Sequence, residues 1–495
     1  MNRRLGFLVA AAFFTACPSE KSTSAADAGA AAGDVTLTLL ITGAENGYLL
    51  ASPDDNGTMR GGAAQMLGRW VKKEGHCAGP LKAGGAPACD DGATLVLSTG
   101  DNANGAAIST FFHGQPTAEL MAHMGYAASA FGNHELDFDV ETYVKNRELS
   151  GVRYLAANIG VAEAARRLKL EPYAIFERRG VKVGVVGLSN RRAPQTMMQG
   201  RFEGLEVLDQ EQKLDEHIPE LWDKGISALV VIMDGCLDAM PPLLEKHPTW
   251  KISVVAGRKC EQPWPAHVGG TQLVYPGRHL YEYARVKLKL DPSKPVGARL
   301  LSAKAELVPV IDGPDAPEAD AAAVKMLVPW KQKLDEALGQ NLGYTDKGIE
   351  QTSDLMYRWI GTALREHLKT DVAIVNRKGV RMNLPSGNVT AESIYNLIPF
   401  ENSVVKAKVN GEQLKKLLDN PEARATGVPK KIDPKATYTV ATTDYQYFGG
   451  DGFTFAEADP NAEFTGVMWQ TAVIEWTKKV ASDADKPLEK LLAEK

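Results

Sequence analysis

Leu97-Ser98-Thr99-Gly100-Asp101 and Phe131-Gly132-Asn133-His134-Glu135-Leu136-Asp137 decide how this chain folds. Each ends a short apolar run, 94–99 and 126–131, and continues through glycine into residues able to bind ions or carry protons. An uncharged run of that length with glycine after it reads as a buried strand. Working outward, 35–42, 181–188, 228–233 and 252–256 read the same way, while 63–73 and 211–224 have helical periodicity. Strand, loop and helix in alternation define an α/β layered domain. In such domains the chemistry gathers on loops that leave the strand C-terminal ends.

A Pro/Asp/Ala-rich stretch, 312–323, closes this unit, and 324–338 reads as a linking helix. A second unit opens with an amphipathic helix over 353–367 and has strands at 372–375 and 437–442. The expected division is a signal peptide over 1–17, a Ser/Ala/Gly/Asp-rich tether over 18–34 and a first domain over 35–311. The linker then occupies 312–340 and a second domain 341–495.

The chain has 495 residues, 44% hydrophobic and 24% charged, which excludes global disorder, collagen and coiled coil. A net charge of −5 leaves no basic excess to neutralise a nucleic-acid backbone, so no nucleic-acid partner is expected. Arg3 and Arg4 precede the apolar run 5–14, which is shorter than the roughly 20 residues that span a bilayer. It reads as a secretory signal. Its end, Phe14-Thr15-Ala16-Cys17, resembles a bacterial lipoprotein box and makes Cys17 the acylated N-terminus; the alternative is an ordinary signal peptide with a chance cysteine. The expectation is an exported monomer, periplasmic or at the cell surface, touching membrane only through that lipid. Four cysteines remain in an oxidising compartment, so two disulfides are the default, with three possible pairings. Cys77 and Cys89 bracket a Gly/Pro/Ala loop that suits a local bridge, which leaves Cys236 with Cys260.

Gly100-Asp101 followed by Gly132-Asn133-His134-Glu135 resembles the calcineurin-like metallophosphoesterases. In the second unit, three segments resemble the C-terminal domain of the 5'-nucleotidase family, which includes periplasmic UDP-sugar hydrolases. They are Asn376 with Gly379-Val380-Arg381, then Ile398-Pro399-Phe400-Glu401-Asn402, then Gly449-Gly450-Asp451-Gly452-Phe453. The resemblance implies a layered β-sandwich domain flanked by helices, joined by a linker helix to a smaller α/β (α+β) substrate-binding domain. It makes Asp101 and Asn133 metal ligands, and His134 with Asp137 the pair serving the leaving oxygen. Phe400 and Tyr445 would stack on both faces of a nucleobase. Asp451 would hold the ribose hydroxyls, and Asn376 and Arg381 would bind base and phosphate or carboxylate groups. Arg365 stands where the family often has another phosphate arginine. The bland alternative for Phe400 and Tyr445 is core packing.

The same resemblance exposes departures. A dinuclear site needs two ions about 3.5–4 Å apart, held by several Asp, His and Asn ligands. Where the family has Asn-Asp-x-His-Gly, this chain has Gly43-Ala44-Glu45-Asn46-Gly47. Asp234-Gly235-Cys236 follows the strand that should end in His, and Gly257-Arg258-Lys259-Cys260 replaces Gly-His-x-His. A guanidinium 4 Å from a unit positive charge is repelled by about 4 kcal/mol at an effective dielectric of 20. Arg258 is therefore expected to replace metal charge, salt-bridged to Asp101 or Asp234. Cys236 and Cys260 sit on the two loops that metal joins in the family, so their disulfide would close those loops covalently. Two thiols sharing zinc, or two free buried cysteines, are the alternatives. The family's two glycines after Asn376 are here Arg377 and Lys378.

Three functions follow. The first is a degenerate member that binds a nucleotide, nucleotide sugar or other anion and hydrolyses it weakly or not at all, with no cofactor. The second is an active phosphoesterase with an atypical site for one divalent metal, Mn, Zn or Mg, drawing on Asp101, Asn133, Asp234 and Glu45. The third is a surface interaction protein that uses neither pocket.

Overall fold

The computed structural model describes residues 33–54, 57–89, 92–258 and 266–493. The first domain is two six-stranded sheets packed face to face. In chain order its strands are β1 Val35–Thr42, β2 Thr94–Ser98, β3 Tyr126–Ala130, β4 Arg153–Leu155, β5 Tyr173–Arg178 and β6 Val181–Leu188. They continue with β7 Ala228–Cys236, β8 Val254–Arg258, β9 Ala266–Val268, β10 Thr271–Val274, β11 Glu282–Leu290 and β12 Leu300–Pro309. One sheet has the order β12-β11-β1-β2-β3-β4 and the other β9-β10-β8-β7-β6-β5. β1 to β4 run parallel, as do β6, β7, β8 and β10. Parallel strands put their C-terminal ends on one side, and this brings the loops after β2 and β3 beside the ends of β7 and β8.

Alternation along the strands builds the layers. Leu37, Leu39 and Ile41 of β1 meet Val183 and Val185 of β6 and Val230 and Ile232 of β7 between the sheets. Val186, Leu229 and Val231 face outward, against Leu214, Ile218 and Leu221 of a helix over Gln210–Asp223. Ala63–Glu74 covers the other sheet with Met66, Leu67 and Trp70. Each fully buried aliphatic side chain contributes roughly 1.5–3 kcal/mol.

Two strands run past the sequence reading by more than one residue. β7 continues past Met233 to Cys236, and β8 runs to Arg258, because Cys236 pairs with Arg258 after a register shift that follows Ile232. Ladder pairing, which hydropathy does not report, places Asp234 and Arg258 inside the strands. The linker helix covers Ala321–Leu338, beginning earlier than its apolar face because the Asp320 side chain caps it through Ala323 N at 2.8 Å.

The second domain has a five-stranded sheet, β13 Val372–Asn376, β14 Ser403–Asn410, β15 Ala423–Thr426, β16 Thr437–Thr443 and β17 Glu463–Met468, in the order β15-β13-β16-β14-β17. Helices Asp354–Leu368 and Trp469–Val480 pack on it with Trp359, Trp469 and Trp476 buried. The domains meet directly. Phe111 packs edge-on against Tyr395 at 5.6 Å, and Asn396 Oδ1 accepts from Ala107 N at 2.6 Å.

Candidate active site

A cleft of about 220 Å³ lies between the domains. From the first domain it is lined by Asn104, Asn133, His134, Asp137 and Arg258; from the second by Asn376, Lys378, Arg381, Phe400, Tyr445 and Asp451. Arg365 is not brought there. It lies in the last turn of Asp354–Leu368, and its Nε donates to the Asp371 carbonyl at 2.9 Å. A long side chain committed to its own helix end cannot reach the cleft.

Asp101, Asp234 and Arg258 form the floor of the first-domain rim. The carboxylates are 2% and 0% exposed, and the Arg258 guanidinium contacts both. Asp101 Oδ1 accepts from His134 N at 3.1 Å, and Asp234 Oδ2 accepts from Asn133 N at 3.3 Å. Asp101 sits at φ 61°, a left-handed backbone that lets the β2 loop turn back under His134. Gly132 is required here, because a Cβ would lie 2.3 Å from Asp101 Oδ1. Burial lowers the Arg258 pKa to about 10, which leaves the guanidinium charged at neutral pH. Burial also pushes Asp234 upward. The guanidinium opposes that rise, since it favours the carboxylate.

These residues do not fit a dinuclear metal centre. Asp101 and Asp234 already hold a permanent cation, and Ala44 offers no ligand. Asn46 has turned its amide to the Asn104 carbonyl at 3.0 Å. Glu45 faces the other way, accepting from Thr42 Oγ1 at 2.5 Å and Ser98 Oγ at 3.0 Å, so it cannot join Asp234 around an ion. Burial raises its pKa to about 7, and Glu135, which accepts from Asn102, is raised to about 8 by the same cause. Among the described residues, the one trio of His, Cys, Asp or Glu side chains close enough to share an ion is Glu211, Asp215 and His247, none of which lines the cleft.

His134 Nδ1 donates to Asp137 Oδ2 at 2.6 Å, which leaves Nε2 as the ring nitrogen open to a ligand. Asn104 Nδ2 donates to the same oxygen at 2.6 Å. Asn104 is a site residue that sequence reasoning passed over, although it stands three residues after Asp101 on the same loop. The His134 ring stacks over Phe400 across the domain boundary, 5.6 Å between centroids at 22°.

The second-domain rim is pinned through its backbone. Trp469 Nε1 and Gln470 Nε2 both donate to the Phe400 carbonyl, at 2.6 and 2.7 Å. Tyr445 lies against Gly450, where a Cβ would come within 2.5 Å of the phenol ring. Burial raises the Tyr445 pKa, so the phenol stays neutral. Asp451, at φ 52°, accepts from Asn376 Nδ2 at 2.8 Å and pairs with Lys378 Nζ at 3.1 Å. The charges at 377 and 378 are thus absorbed locally, since Arg377 and Lys378 also reach Glu422 at 3.2 and 3.1 Å. The Arg381 guanidinium packs over Phe400, 5.6 Å from its centroid.

Cys77 and Cys89 are bonded, with Cα atoms 5.8 Å apart. Cys236 is disulfide-bonded. Its expected partner Cys260, like Cys17, lies outside the described residues.

Two packed sheets with loops converging on a second, ligand-facing domain define a two-domain phosphoesterase architecture. Residues 334–431 match the family model of the 5'-nucleotidase C-terminal domain. The chain is 24% identical over 448 residues to a 5'-nucleotidase of Vibrio cholerae, covering 76% of this chain and 81% of that protein. It superposes on a 5'-nucleotidase precursor from Thermus thermophilus with TM-score 0.76 and 20% identity, over 90% of this chain and 97% of the other. The chain thus carries a 5'-nucleotidase C-terminal domain match over 334–431 and has the two-domain fold of the 5'-nucleotidases, with a metallophosphoesterase-type first domain. The fold alone does not select the bond that is cleaved: a sulfate thiohydrolase, SoxB, from Thermus thermophilus superposes with TM-score 0.68 at 15% identity, over 90% of this chain and 94% of the other.

Proposed function

We propose that this chain is an exported, lipid-anchored family member that binds a nucleotide-like or other anionic ligand in the interdomain cleft and hydrolyses phosphoesters weakly or not at all. The observation that carries this reading is the Arg258 guanidinium held by both Asp101 and Asp234. It puts fixed positive charge where the family's chemistry uses removable ions. Held between two carboxylates, that charge is already neutralised, and it supplies no ion to generate an attacking hydroxide at neutral pH. Phe400 and Tyr445 take the base, Asp451 and Asn376 the sugar side, and Arg381 the anionic group. Cys17 carries the acyl chain, and the domain limits are 35–311 and 341–495 around the linker 312–340. Among the described residues no helix is long and apolar enough to cross a membrane.

A second reading, retained hydrolysis with one weak divalent ion, is favoured by the intact His134–Asp137 pair, which can still give a proton to a leaving oxygen. Elemental analysis of the purified protein, with a nucleotide hydrolysis assay supplemented with Mn²⁺, Zn²⁺ or Mg²⁺, separates the two. The expected result is substoichiometric metal and turnover far below about 1 s⁻¹. Stoichiometric metal with ordinary turnover overturns the first reading.

A further inference from the structure

A second interdomain cavity, of about 200 Å³, shares Asn104, Lys378 and Arg381 with the cleft. Its other walls include Tyr48, Arg278 and His279 from the first domain and Gln351, Tyr357 and Arg377 from the second. Four permanent cations line it, Arg278, Arg377, Lys378 and Arg381, and no aspartate or glutamate is among the described residues that do. Two of these are compensated from outside, since Arg377 and Lys378 pair with Glu422. The other two form no ion pair with any described residue. Arg381 touches the Lys378 carbonyl at 3.5 Å and the Phe400 ring, and feels the charges of Asp137 and Asp451 from the neighbouring cleft. The Arg278 side chain makes no hydrogen bond or ion pair with any described residue, and the Tyr48 hydroxyl has no hydrogen-bond partner among them either.

The loop that presents Arg278 is held in an unfavourable conformation. His279 and Leu280 both have φ 56°, a region that non-glycine residues occupy at a cost. His279 N donates to the Ala44 carbonyl at 2.9 Å, and its ring stacks on Tyr48 at 3.8 Å and 11°. Burial, followed by the nearby Arg278 and Arg381, lowers the His279 pKa to about 3, so that ring is a neutral wall. Two guanidiniums in no ion pair, lining one chamber from opposite domains, are a charge arrangement that an anion would complete. Guanidinium forks match phosphate oxygens with paired N–H donors.

We propose that this chamber binds a di- or triphosphate group through Arg278 and Arg381, with the Tyr48 hydroxyl as a further donor. The group is either free inorganic oligophosphate or the phosphate chain of a nucleotide whose base lies in the neighbouring cleft. Only the second source rests on the proposed nucleotide-binding role; inorganic pyrophosphate probes the chamber alone.

The test is titration calorimetry on the full chain with inorganic pyrophosphate, tripolyphosphate, ADP and adenosine, for wild type and Arg278→Gln. Arg278 is exposed and bonded to no described residue, so the variant orphans no partner; equal unfolding temperatures without ligand verify this. The expected result is one pyrophosphate per chain, weakened about tenfold or more by Arg278→Gln while adenosine affinity is unchanged. No pyrophosphate binding at millimolar concentration, or equal binding by the variant, overturns the proposal. ADP binding more tightly than adenosine in wild type but not in Arg278→Gln identifies the nucleotide source. Pyrophosphate binding with ADP no better than adenosine supports the chamber with free oligophosphate as its ligand. Pyrophosphate binding with no adenosine binding keeps the chamber and removes the nucleoside reading of the cleft.

Discussion

The two rims of the cleft are held together in opposite ways. On the first-domain rim charge sets the arrangement: a guanidinium stands between two buried carboxylates. On the second-domain rim shape sets it, with Phe400 pinned by Trp469 and Gln470 and Tyr445 seated on Gly450. The contrast follows from range. Charges in a low-dielectric site act on every neighbour, so a guanidinium there requires carboxylate partners. A stacking surface depends on the position of two rings.

The largest effect expected is at Arg258. Arg258→Ala leaves Asp101 and Asp234 buried without a counterion, and breaking a buried pair in this way costs about 3–5 kcal/mol. Chemical denaturation measures it, and a loss below about 1 kcal/mol would mean that the first rim does not depend on this cation. Metal uptake by the same variant sharpens the comparison, since Mn²⁺ or Zn²⁺ should bind more tightly once the guanidinium is gone.

Next is a pH dependence confined to the first domain. Burial raises Glu45 from 4.5 to about 7 and Glu135 from 4.5 to about 8. Below about pH 4.5 both are protonated, folded or unfolded. As pH rises the unfolded chain releases these protons first, so stability falls by about 1.4 kcal/mol per pH unit per group until each folded carboxyl ionises. Denaturation midpoints from pH 5 to 8 should therefore fall less steeply in Glu45→Gln and Glu135→Gln than in wild type. Parallel slopes in all three proteins would contradict the assignment.

On the second rim, Phe400→Ala or Tyr445→Ala should weaken nucleoside binding by about 5–150-fold, the equivalent of 1–3 kcal/mol for one stacked base, with stability little changed for Tyr445→Ala. Calorimetry with nucleosides, nucleotides and nucleotide sugars reads this, and no millimolar binding by wild type favours the interaction-protein reading. The smallest effect belongs to Lys378→Gly. The Lys378 side chain is 48% exposed, so losing its pair with Asp451 should cost no more than about 1 kcal/mol. Releasing that carboxylate should raise nucleoside affinity a few-fold; a decrease would make Lys378 a ligand contact instead.

Much of this was legible in the chain itself. Apolar runs ending in Gly100-Asp101 and Gly132-Asn133-His134 marked buried parallel strands, because a strand covered on both faces must be apolar and its loop must turn sharply. The ordered motifs at 376, 398–402 and 449–453 marked the second domain. What the sequence could not carry was partnership. β14 alternates lysine with valine and alanine, and only the sheet shows it paired on both sides, with β16 and β17. Glu45 looked like a substitute ligand until the fold turned it toward Thr42 and Ser98. Arg365 looked like a phosphate arginine until its helix end claimed it, and Arg278 carried no motif at all. Residue type and local period are properties of short segments, whereas the direction of a side chain and the charge it meets are set by segments hundreds of residues away. For that reason the sequence determined the fold class, the layers and the ordered motifs, and only the tertiary structure decided that Arg258 joins Asp101 to Asp234 and that Arg278 and Arg381 line one chamber from opposite domains.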